Sequence, residues 1–166
     1  MNTNPSFPPP RPARFDIKLK RGLDSILFGC TIAEVQKVLG GPDVVSKYGR
    51  HRIEACVNLD YDELGLSFRF DADIEFSLAC ISSEKDNTFL FNTPMIGREK
   101  EHVLSMLKQH GLRDPVLEDM SCRENPDWEL VTYGECSLNL WFKDRRCTTI
   151  QWSFEIDEKD DAVWPV

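Results

Sequence analysis

The sequence predicts an α+β fold of two tandem repeats, each one helix followed by about three antiparallel strands, with the helices on one face of the sheet. Two glycine-led stretches of helical periodicity stand 68 residues apart, so that Gly29, Val35 and Leu39 match Gly97, Val103 and Leu107. Strand-like alternation follows each, with residues 61–70 aligning with 133–142 at an offset of 72 and Ile81 with Ile150 at 69. A chain of 166 residues then holds two half-size units whose separate cores are marginal, which predicts that they pack as one body.

Residues 1–21 read as a basic, proline-rich arm. Pro8, Pro9, Pro10 and Pro12 lack the amide protons that a helix or ladder needs, and Arg11, Arg14, Lys18, Lys20 and Arg21 oppose only Asp16. Pro9, Pro12 and Arg14 match the PxxPxR pattern read by polyproline-binding grooves. The first repeat is expected over residues 22–92. Thr31 and Glu34 have the spacing of a capping box, Ile32, Val35, Val38 and Leu39 share one helical face, and Gly40-Gly41-Pro42 stops the helix. Leu66, Phe68 and Phe70 then alternate with Ser67 and Arg69, and Asp71-Ala72-Asp73 reads as a turn.

The second repeat is expected over residues 93–154. Val103, Leu104, Met106 and Leu107 supply its apolar helical face and Gly111 its stop. Leu138, Leu140 and Phe142 alternate with Asn139, Trp141 and Lys143, and Lys143-Asp144-Arg145-Arg146 turns the chain into a strand where Ile150, Trp152 and Phe154 alternate with Thr149, Gln151 and Ser153. Residues 155–166 form an acidic tail with Trp164 as its candidate anchor.

A helix covers only one face of such a sheet, which leaves the other to solvent or a partner. Asn58, Asp60, Ser67, Arg69, Asn139, Trp141, Lys143, Thr149, Gln151 and Ser153 are assigned to that open face. Trp141 stands out among polar neighbours as an interface anchor, with Asp60, Arg69 and Lys143 as polar flanks and Asn139 and Gln151 beside them. The alternatives are a Trp141 covered by the arm or the tail, or a sheet buried on both faces. Glu118, Asp119, Glu124, Asp127 and Glu129, beside Trp128, read as a loop offering a second contact region or simply a solvated one.

The formal net charge is −8, and beyond residue 21 it is −12, from 15 basic and 27 acidic groups. An acidic body repels phosphate backbones, so no nucleic-acid partner is expected, and it steers a basic protein toward itself. No apolar run approaches the roughly 18 residues of a membrane span, and the N-terminus lacks the apolar stretch of a secretory signal, so the expectation is a cytoplasmic protein with no membrane partner. Six cysteines without any CxxC pair give no zinc-ribbon or thioredoxin motif and read as reduced, mostly buried thiols.

No catalytic residue, cofactor or metal is expected. His102 and His110 are eight positions apart on one helix, about 12 Å along its axis, too far to share a metal, and His51 sits in a basic loop. Asp71-x-Asp73-x-Glu75 starts like a calcium loop, but Phe76 replaces the required glycine and Ser82 the bidentate glutamate. Nucleotide, zinc-protease and hydrolase-elbow motifs are missing. A Cys/His nucleophile pair assembled in space stays open.

Gly29, Thr31, Glu34, Val35, Leu39, Gly40 and Pro42, in a helix-plus-antiparallel-sheet unit that occurs twice, resemble the architecture of the β-lactamase inhibitory proteins and related small lipoprotein assembly-factor domains. The second unit departs from the pattern, with Glu99 in place of the threonine and no proline at the stop. More loosely, the chain resembles bacterial immunity proteins that neutralise a cognate toxin. The resemblance spans roughly residues 26–154 and implies a noncatalytic inhibitor that binds another protein through its sheet, most simply an immunity protein occluding a toxin's active site. The alternative expectation is a structural or adaptor domain recognised through its proline-rich arm.

Overall fold

The structure is a computed structural model that describes residues 13–49 and 55–166. The prolines of the arm and the basic loop around His51 lie outside these. β1 (Phe15–Lys18), β2 (Gly22–Leu23) and β3 (Ile26–Leu27) precede α1 (Ile32–Leu39). β4 (Val44–Tyr48), β5 (Cys56–Tyr61), β6 (Leu66–Asp71) and β7 (Ser77–Ser83) follow. β8 (Thr88–Leu90) and β9 (Thr93–Pro94) lead to α2 (Lys100–Gln109), and then come β10 (Val116–Asp119), β11 (Trp128–Tyr133), β12 (Leu138–Lys143) and β13 (Arg146–Ser153). β14 (Glu155–Ile156) and β15 (Ala162–Val163) pair as a terminal hairpin.

This architecture corrects the expectation of two helix-plus-three-strand repeats. The protein is mostly β. Each helix is followed by four strands, and the two runs of four merge into a single antiparallel sheet of eight in the order β10-β11-β12-β13-β7-β6-β5-β4. The joint is β13 against β7, where Ile150 pairs with Ser83 and Trp152 with Ile81. Nor is this the only large sheet. A five-stranded sheet, β3-β2-β1-β8-β9, contains the parallel pair β1–β8 and was not foreseen at all. Its strands are two to four residues long, too short to display a period.

Part of the predicted arm is core. Phe15 and Ile17 of β1 are buried, because Phe15 donates its amide to the carbonyl of Asn87 and its strand pairs with both β2 and β8. The tail is anchored as well: Trp164 packs on Phe154 with ring centroids 5.1 Å apart, and Arg21 donates to the carbonyl of Val166.

Capping chemistry sets the first helix. The Thr31 amide donates to the Glu34 carboxylate at 2.8 Å while the Glu34 amide donates to the Thr31 hydroxyl at 3.3 Å. Val35 and Leu39 face the core from α1, and Val103, Met106 and Leu107 do so from α2. They meet Leu59, Tyr61, Leu66, Phe68, Phe70, Ile81, Val131, Leu138, Leu140, Phe142, Ile150 and Trp152 from the large sheet in one continuous cluster. Trp152 is fully buried, and its indole Nε1 donates to the Gly22 carbonyl at 2.9 Å, tying the large sheet to the small one.

Candidate functional site

The residues opposite that core define the site. In β11 and β12 the pairs Trp128–Lys143, Leu130–Trp141 and Thr132–Asn139 point away from the helices, since successive side chains on a strand alternate between faces. β13 adds Thr149 and Gln151 and β7 adds Ser82, while β6 and β5 add Ser67 opposite Asp60 and Arg69 opposite Asn58. Trp141, Asp60, Arg69, Lys143, Asn139, Gln151 and Trp128 therefore share one face. The tail does not cover it, because Trp164 is held on Phe154.

Two sequence assignments are corrected. Trp128 is the first residue of β11 rather than part of a loop, and Glu118 and Asp119 likewise belong to a strand, β10. Glu129, next to Trp128 in a strand, must then point to the other face, where it forms a salt bridge with Lys100 of α2. It fastens a helix and is not part of the open face.

The face has an aromatic end and a polar end. Trp128 and Trp141 lie diagonally across the β11–β12 ladder with centroids 5.1 Å apart and planes tilted by 43°. Val116 and Met120 stand exposed beside them on the β10 side, and Leu130 is half-buried under them. Ser121 holds the entry to this hairpin, accepting the Trp128 amide on its hydroxyl at 3.1 Å. Between residues 114 and 144 the chain carries eight acidic and two basic groups, so the aromatic end lies in an acidic stretch of the chain.

At the polar end the groups are already engaged. Ser67 donates to Asp60 at 2.5 Å, Gln151 Nε2 to Cys80 Sγ at 3.1 Å, and Arg69 Nε to Asp71 at 2.6 Å. The Asp71 hydrogen bond raises Arg69 above its ordinary range, and burial raises the Cys80 thiol. Asn58 Oδ1 is buried with no donor among the described residues. A cavity of about 280 Å³ opens at the margin of this end, lined by Asp60, Asp62, Ser67, Ser82, Glu84 and Lys85. Lys85 Nζ is occupied by the carbonyls of Asp62 and Glu63.

Among the described residues no group of three or more His, Cys, Asp or Glu could hold a metal ion. His110 stacks on Phe91 at 4.3 Å and bonds to the Met106 carbonyl, and His102 contacts Arg98 on the surface of α2. Asp71, Asp73 and Glu75 belong to a 3-10 turn, Ala72–Ile74, and its ends. No described helix is long and apolar enough to cross a membrane.

No protein-family model matches the chain, and no curated protein or solved structure is detectably similar to it.

Proposed function

We propose that the chain is a noncatalytic protein-binding module that docks through the aromatic end of its open sheet face, and that it acts in the cytoplasm as an inhibitor of the immunity type, covering the active site of a basic partner. The observation that carries this reading is the Trp128–Trp141 pair, two contiguous half-buried indoles on a face that the helices and the tail leave uncovered among the described residues. Tryptophan is the residue most enriched among interface hot spots, and clustered anchors ringed by polar groups are their usual setting. The acids of residues 114–144 set the sign of the partner's rim, which must be basic to dock without like-charge repulsion.

The test compares affinity capture from the native host by the wild-type chain and by Trp141→Ala. The reading requires a basic protein retained by the first and lost by the second at equal thermal stability, and an activity of that protein that falls when the wild-type chain is added. Equal retention by both chains, or a retained protein whose activity is untouched, overturns it.

A further inference from the structure

The two edges of the large sheet both expose apolar side chains, Val116 and Leu117 on β10 at 59% and 54% and Val44, Val45 and Tyr48 on β4, but they differ in charge. β10 begins directly after Pro115 and carries Glu118 and Asp119, the charges and proline by which natural edge strands discourage pairing. β4 carries one charge, Lys47, and exposes Val44, Val45 and Tyr48 at 46%, 52% and 56%, so apolar side chains stand out on both of its faces. It is the terminal strand of the sheet, and no other described segment pairs with its outer side.

Its charges are also polarised along its length. Asp43, Asp60 and Asp62 gather at the Val44 end, where Val44 pairs with Asp60 and the Asp62 amide donates to Asp43 at 2.8 Å. Lys47 lies toward the other end.

We propose that β4 pairs with β4 of a second copy of this chain, antiparallel about a two-fold axis at Ser46, joining two eight-stranded sheets into one. In that register Val44 lies opposite Tyr48 of the other copy and Val45 opposite its Lys47, and aromatic–β-branched cross-strand pairs of this kind are favourable. The acidic end of each strand meets the basic end of the other. Parallel self-pairing sets like ends together, whereas the antiparallel second copy sets Lys47 of each chain diagonally across from Asp43 of the other. The interface is isologous and closes at two subunits. The tryptophan pair lies at the opposite side of each sheet, so a dimer presents two such patches.

Sedimentation equilibrium of the full chain over a dilution series tests this. The expected result is a reversible dimer of twice the 19.1 kDa chain mass. Ser46→Asp, which opposes two carboxylates at the axis, and separately Val45→Lys convert it to monomer with the melting curve retained, while Leu117→Lys on the β10 edge leaves the dimer intact. A monomeric wild-type chain at every concentration, growth beyond the dimer, or a dimer indifferent to both β4 variants overturns the proposal. Should one β4 variant melt early, the other decides.

Discussion

Trp128 and Trp141 sit on adjacent antiparallel strands, two residues off direct opposition and so on the same face, because Trp128 pairs with Lys143 and Trp141 with Leu130. That diagonal brings the indoles to 5.1 Å with a 43° tilt, so the pair is a consequence of register rather than of a loop conformation. Close tilted indoles couple electronically. Trp141→Phe is therefore expected to remove an exciton couplet from the far-ultraviolet circular dichroism while leaving the thermal midpoint within a few degrees of wild type. A couplet that persists in the variant contradicts the pairing.

Trp152 is the converse case. It is fully buried and donates to the Gly22 carbonyl, so truncation leaves a cavity and an unpaired acceptor at the junction of the two sheets. Trp152→Ala is expected to cost about 3–5 kcal/mol, as large aromatic deletions in cores do. Trp152→Phe keeps much of the volume and loses the hydrogen bond, for about 1–3 kcal/mol. Denaturant unfolding of the two variants checks both the size and the order.

Thr31→Ala removes the capping box and is expected to destabilise by about 1 kcal/mol. The Glu34 carboxyl is held below its ordinary range, first by the Thr31 amide and then by the Thr31 hydroxyl. A lowered folded pKa means that the stabilisation is complete above the ordinary glutamate range and disappears as pH falls through the folded value. The stability gap between wild type and Thr31→Ala should accordingly be constant at neutral pH and shrink on acidification. A gap that widens in acid refutes this assignment.

The six thiols should react unequally. Burial pushes Cys147 up to about 12 and Cys30 up to about 11, and raises Cys80 and Cys136 as well. Cys122 is exposed, and backbone hydrogen bonding, first from Asn125, lowers its pKa, so it holds the largest thiolate fraction at a given pH among these five. Mass spectrometry after limited alkylation of the native chain should find Cys122 modified first and Cys147 only after unfolding. Early labelling of Cys147 contradicts the packing of β13.

Much of the open face was legible in the sequence because a period of two survives any error in strand ends. Ser67 and Arg69, Asn139, Trp141 and Lys143, and Thr149 and Gln151 needed only alternation to be assigned to one side. Glu129 was misplaced for the same reason that Trp128 was: their segment read as an acidic loop, and only as a strand do two consecutive residues have to face opposite ways. β4 and β10 escaped because edge strands exposed on both faces have no buried side to create a pattern. The five-stranded sheet depends on contacts between residues far apart in the chain, such as Phe15 with Thr88, which local periodicity does not encode.

The account stands most directly on the docking role of the tryptophan pair. Once the captured partner is purified, calorimetric titration of wild type and Trp141→Ala against it measures that role. The account predicts affinity weakened by about thirtyfold or more, the loss of a hot-spot residue, with thermal midpoints unchanged. Equal affinities would place the binding surface elsewhere and contradict it.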